Sequence, residues 1–102
     1  MALELEQEEA TVTCDVDVAA NDAYWQQAHC GERYYSPRFD YEDYAPAYCV
    51  GYTGFAQYGG TFEEAEKSLV SNWVRIKGDS KLGIDLAMLA MRAAWEEAAG
   101  VR

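Results

Sequence analysis

His29 is the only histidine in the chain, and Cys30 follows it directly. Cys14 and Cys49 complete the set of thiols. Three thiolates and an imidazole are the donor types of a tetrahedral zinc site. The spacing argues against one, because there is no short C-x-x-C pair and the adjacent His29 and Cys30 would both have to bend toward one ion. A cysteine with a histidine is also the material of a nucleophile and its base. Neighbours on a helix point about 100° apart, so His29 and Cys30 are expected to face different ways. The expectation is thiols that are free or buried as small apolar groups, with no metal and no cofactor.

Asp40, Glu42 and Asp43 place three carboxylates in four residues. A glycosidase-type pair needs two carboxyls across one cleft, one of them held protonated. Acids just ahead of a helix are better suited to capping it and complementing its dipole. Gly51, Gly54, Gly59 and Gly60 fit neither G-x-x-x-x-G-K-[ST] nor G-x-G-x-x-G, so no phosphate loop is read. With no catalytic constellation in view, the expectation is a protein that is not an enzyme.

Tyrosines stand at 34, 35, 41, 44, 48, 52 and 58. A phenol ring carries a large apolar body and a hydroxyl that needs a partner. Such rings either fill a core beside Trp25, Trp73 and Trp95, with their hydroxyls at the surface, or face a partner protein. Tyr44, Tyr48, Tyr52, Gly51, Gly54, Trp25 and Trp95 are the interaction candidates. Basic residues are not interleaved with these aromatics, which disfavours stacking on nucleotides.

Charge separates along the chain. Residues 1–32 hold eight acids and no Lys or Arg, whereas residues 33–102 hold ten acids and eight bases. The net charge of −10 repels phosphate backbones and anionic membranes. A basic protein or a second copy of the chain is the expected partner, with no nucleic acid and no membrane. No run of about 18 apolar residues exists to span a bilayer. The first residues, Met-Ala-Leu-Glu-Leu-Glu, lack the basic and apolar regions of a secretory signal. An odd number of cysteines fits a reducing cytoplasm.

The elements that must position these residues follow from periodicity. Residues 1–20 read as an acidic arm and 21–102 as a helical domain. Within the arm, Val12, Cys14, Val16 and Val18 alternate with Thr or Asp, the pattern of a half-buried strand. Asn21 suits the N-cap of a short helix closed by Gly31. Ser36-Pro37 marks a loop. Pro46 is placed at the first position of the next helix. From there Tyr44, Tyr48, Tyr52 and Phe55 share one face, and Ala47, Gly51, Gly54 and Tyr58 a neighbouring one. Each glycine costs about 1 kcal/mol of helix propensity, so Gly51 and Gly54 imply close approach by another element. Thr61 and Glu64 form a capping box for a helix over 62–77, with Phe62, Ala65, Leu69, Trp73 and Ile76 as its stripe. A last helix runs from Gly83 or Ile84 to Ala99, with Gly100 as its stop. Ile84, Ala87, Met88, Met91, Trp95 and Ala98 line one side of it. Leu86, Leu89, Ala90 and Ala93 line another, so it is expected to pack on more than one side.

The run Asp40-Tyr-Glu-Asp-Tyr-Ala-Pro-Ala-Tyr-Cys-Val-Gly51, with Phe62-Glu63, Trp73 and Trp95 downstream, resembles a family of uncharacterised small bacterial proteins. Their core reads D-Y-x-x-Y-x-P-A-Y-x-x-G. The resemblance covers residues 22–97 and implies a shared helical architecture without an assigned activity.

The fold expected is all-α: three main helices and a short N-terminal helix, with the arm over 11–18 as a possible strand. An α+β fold is the alternative if that arm pairs. The function expected is a non-catalytic interaction or scaffold domain that self-associates. An acidic mimic of nucleic acid that occupies a basic protein is one alternative. A small-molecule binder with a Tyr/Trp-lined pocket is the other.

Overall fold

The computed structural model describes residues 17–101. They form α1 (Val18–Ala28), a 3₁₀ turn (His29–Gly31), α2 (Tyr41–Tyr58), α3 (Phe62–Ile76) and α4 (Ile84–Ala99). This is the all-α arrangement that the periodicities predict, with three longer helices and a short one before them. No strand occurs among the described residues.

Two helix starts differ from expectation. Residues 11–16 of the strand-like arm lie outside the described residues, but Asp17 and Val18 are not strand. Asp17 is the N-cap of α1, its carboxylate accepting the Ala20 amide at 3.0 Å. Asn21, expected as the cap, sits inside the helix and donates its side-chain amide to the Asp17 carbonyl at 3.0 Å. Aspartate and asparagine cap comparably, and here the earlier one prevails. The helix therefore begins ahead of residue 21.

The second correction concerns Pro46, which lies inside α2. The helix starts at Tyr41 because Asp40 is its N-cap and Asp43 closes the first turn. The Asp43 carboxylate accepts the Asp40 amide at 3.1 Å. Proline removes one helical N–H and costs about 3 kcal/mol in a helix interior. The carbonyl left without its donor is that of Glu42, an exposed residue where water can replace the bond.

Helix α3 begins as its capping box requires. Thr61 Oγ1 accepts the Glu64 amide and Glu64 Oε1 accepts the Thr61 amide, both at 3.2 Å. Phe62, Ala65, Leu69 and Trp73 are buried as predicted. Ile76 is not: it stands half-exposed in the last turn, where the chain swings away at Gly78 (φ 55°). In α4, Gly83 is the N-cap and Gly100 the left-handed stop. Ile84, Leu89 and Ala98 are exposed, so the buried surface of α4 is narrower than its apolar sequence suggests.

Burial in α4 centres on Ala87, Ala90, Met91, Ala94 and Trp95. It packs against α2 along most of both helices, and α1 and α3 also pack on α2. The approach is closest at Gly51. A Cβ there would fall on the Met91 carbonyl oxygen and lie 2.7 Å from Ala94 Cβ. A Cβ on Gly54 would run into Leu69 Cδ2, the end of a side chain on α3. Both glycines thus serve the close approach their helical positions imply.

The two obstacles differ in kind. A helix backbone cannot yield without moving α4, whereas a leucine methyl can shift. Gly51→Ala is expected to lower unfolding free energy by at least about 2 kcal/mol, despite a gain of about 1 kcal/mol in helix propensity. Gly54→Ala is expected to cost about 1 kcal/mol or less. Urea unfolding followed by circular dichroism measures both, and equal losses would contradict the backbone approach at Gly51.

Candidate functional site

The side chains with chemistry gather where α1 crosses α2. Trp25 stacks on Tyr48 with ring centroids 4.3 Å apart and planes 11° from parallel. Tyr41 and Tyr44 flank Tyr48 along the same helix. His29, just past α1, is buried among Tyr35, Tyr41 and Tyr44 at centroid distances of 5.0 to 5.4 Å. On the other flank of α2, Trp95 meets Phe55 and Phe62 edge-on.

The hydroxyls of these rings are turned inward, which the sequence reading did not foresee. Tyr44 Oη accepts the Ser36 amide at 2.9 Å and donates to the Ser36 carbonyl at 3.3 Å. Tyr48 Oη and Tyr34 Oη lie 2.8 Å apart. Tyr41 Oη donates to the Asp22 carboxylate at 2.7 Å. Three tyrosines of α2 therefore hold the 32–40 loop and α1 in place, each satisfying a phenol that burial would otherwise penalise.

His29 is fully engaged by its own helix. Its Nδ1 lies 3.0 Å from the carbonyls of both Trp25 and Gln26. Carbonyl oxygens only accept, so Nδ1 carries the proton. Cys30 Sγ lies 4.0 Å from Nδ1 and 3.9 Å from Nε2. A sulfur nearly equidistant from both nitrogens lies off the in-plane lone pair of Nε2. It is not placed to pass its proton to that nitrogen. Cys49, on α2, has its thiol pushed up by burial, although hydrogen bonds from Tyr52 and Thr53 work the other way. A raised thiol is a poor nucleophile near neutral pH. Among the described residues no three of His, Cys, Asp and Glu gather as they would around a metal ion. Cys14 lies outside those residues.

Asp43 caps its helix, as the acids around it were expected to do, and it also holds a second segment. It is buried, and its two carboxylate oxygens face different segments. Oδ2 takes the Asp40 amide and Oδ1 takes the Lys81 amide at 3.0 Å. Its carbonyl receives the Ser80 hydroxyl at 2.5 Å. One aspartate thus ties the start of α2 to the connection between α3 and α4.

All seven interaction candidates are buried. Trp25, Tyr44 and Tyr48 are sealed completely, and Tyr52, Trp95, Gly51 and Gly54 nearly so. The structure brings Trp25, Tyr44 and Tyr48 together on one flank of α2 and Gly54 with Trp95 on another. Trp95 does form part of the lining of a surface concavity of about 190 Å³, beside Phe62 and Arg92, whereas two larger concavities are lined by other residues. One groove of about 520 Å³ runs between Gly31–Tyr34 and the Leu89, Arg92, Ala93 and Glu96 side of α4. Another of about 560 Å³ follows the outer side of α3, between Tyr58 and Arg75. Val70 and Val74 line it, four residues apart and off the buried stripe, a spacing that could have revealed this second face.

The fold and these sites define a small all-α domain whose conspicuous residues are interior. No helix among the described residues is long and apolar enough to cross a membrane. No protein-family model, no curated protein and no solved structure matches the chain.

Burial raises the phenols of Tyr48, Tyr41 and Tyr52 above their ordinary 10.0. For Tyr48 the Tyr34 hydroxyl adds to this, and for Tyr41 the Asp22 carboxylate does. In the unfolded chain they titrate near 10, so above that pH the folded state holds more protons than the unfolded one. Stability is then full below pH 10 and falls as pH rises beyond it. In an alkaline titration, phenolate absorbance from these three residues is expected to appear together with loss of helical circular dichroism. Phenolate absorbance from all the tyrosines ahead of unfolding would contradict their burial.

Proposed function

We propose that this chain is a non-catalytic protein-interaction domain that self-associates through the outer face of α3. We also propose that it shares its architecture with the bacterial family whose core motif it carries from Asp40 to Gly51. The observation that carries the first reading is the groove along α3. Tyr58 and Val74 remain 45% and 54% exposed there, with Val70 between them partly covered. A single exposed valine is ordinary on any surface. Three apolar side chains along one concavity are what a partner's apolar residues require.

The burial of the aromatic cluster supports this division of labour. Rings that stack at contact distance leave the interior filled, so binding falls to the surface. His29 and Asp43 are engaged in hydrogen bonds that hold the fold, Cys49 is half-buried and Cys30 is an exposed free thiol.

Light scattering or sedimentation at micromolar concentration tests the reading. The wild-type chain is expected to give a mass above that of one copy. Val74→Asp is expected to raise the dissociation constant by about tenfold or more, equivalent to about 1.4 kcal/mol. Because Val74 is exposed, its replacement should leave unfolding free energy within about 0.5 kcal/mol. A monomer at every concentration would remove the reading.

A further inference from the structure

We propose that the groove on α3 receives the acidic segment 1–16 of a second copy of this chain, an assignment that rests on the self-association proposed above. The groove carries a charge unusual for this molecule. Its only ionisable side chains besides Tyr58 are Lys67 and Arg75. Neither lies within ion-pair distance of a carboxylate among the described residues, and the Arg75 guanidinium bonds the neutral Asn72 side chain instead. On a chain of net charge −10, this is a concavity of valine, tyrosine, serine and asparagine whose only charges are positive.

Residues 1–16 have the complementary composition. They hold Glu4, Glu6, Glu8, Glu9 and Asp15 with no Lys or Arg, and they interleave Leu3, Leu5, Val12 and Val16 among the acids. Acids meeting Lys67 and Arg75 and aliphatic side chains meeting Val70 and Val74 would satisfy both features of the groove. The same contact offsets the repulsion that two copies of −10 otherwise face.

Self-association favours exchange between copies over docking within one, because docking within one chain makes no contact between copies. The segment enters α1, which packs on the Trp25–Tyr48 flank of α2. The groove belongs to α3, which meets α2 at Gly54 and Leu69. The origin of the segment and its receptor lie on different faces. Two copies related by a two-fold axis can each donate a segment and each accept one, forming two equivalent contacts.

Charge exchange in the full-length chain tests this. Lys67→Glu with Arg75→Glu makes one variant, and Glu4→Lys with Glu6→Lys and Glu8→Lys makes the other. Each alone is expected to dissociate about tenfold more readily than the wild type, with helical content retained because the groove residues are exposed. An equimolar mixture of the two is expected to recover association, and wild-type association should weaken as salt rises. Wild-type association unmoved by either variant would overturn the segment's role while leaving self-association standing. Variants that weaken association but fail to recover on mixing would also overturn it, as docking within one chain would give that result. A wild-type chain that is monomeric throughout would fail at the earlier step, in the reading on which this one rests.

Discussion

The domain is organised by how near α2 and α4 come to each other at Gly51. With the Met91 carbonyl and Ala94 Cβ against it, this position admits no side chain. Neighbouring positions along the contact must also be small, and they are: Ala47 on α2, with Ala87, Ala90 and Ala94 on α4, are all buried. A seam of small residues has a consequence for every larger one. Bulk excluded from between the helices must lie to either side. On one side stand Tyr44 and Tyr48, and on the other Phe55, Leu69 and Trp95. The two flanks are what α1 and α3 cover. One close backbone contact therefore fixes where the aromatic residues go and how many further helices are needed to bury them.

The flank under α1 shows how tyrosine differs from phenylalanine as a core residue. A phenol can be buried only if its hydroxyl finds a partner, and secondary structure has already used the helix backbone. The partners come from the 32–40 loop and from a side chain of α1. Ser36 offers its amide and carbonyl to Tyr44, Tyr34 offers a hydroxyl to Tyr48, and Asp22 offers a carboxylate to Tyr41. The 32–40 loop is thus held by the core it covers. Asp43 does the same at the other end of the chain, using the Lys81 amide and Ser80 hydroxyl to hold the connection into α4.

Much of this was legible from residue types and spacing. The Thr61–Glu64 capping box and the Gly100 stop are local signals, and local physics decides them. Gly51 and Gly54 were readable because glycine inside a helix is unfavourable unless something lies against it. The misreadings arose where a local preference met a stronger neighbour. Pro46 prefers a first turn, but the Asp40 and Asp43 caps and the Tyr44 latch on Ser36 had already begun the helix. Asn21 is a good cap standing after another good cap. The site was less legible than the fold. Spacing places Tyr44, Tyr48 and Tyr52 on one helical face but does not say whether that face meets solvent or α1. Only the stacking of Trp25 on Tyr48, between residues far apart in sequence, decides it.

That decision bears on function, because a small domain cannot use one side chain both to seal its interior and to grip a partner. The aromatic residues that would most readily anchor an interface are spent on the interior, with Trp25, Tyr44 and Tyr48 fully enclosed. What remains at the surface is mostly aliphatic and charged, with Tyr24 and Tyr58 half-exposed. Such a surface binds less by a deep aromatic anchor than by matching charge around a modest apolar strip. On α3 the buried stripe and the exposed strip lie on one helix, so Leu69 and Trp73 fix its orientation while Val74 looks outward and Val70 stands at the edge of the core. The rigidity given to α3 by the seam and its flanks is therefore what would present that strip in a constant shape. The recognition proposed for α3 would then depend, through the packing of that helix, on the contact made at Gly51.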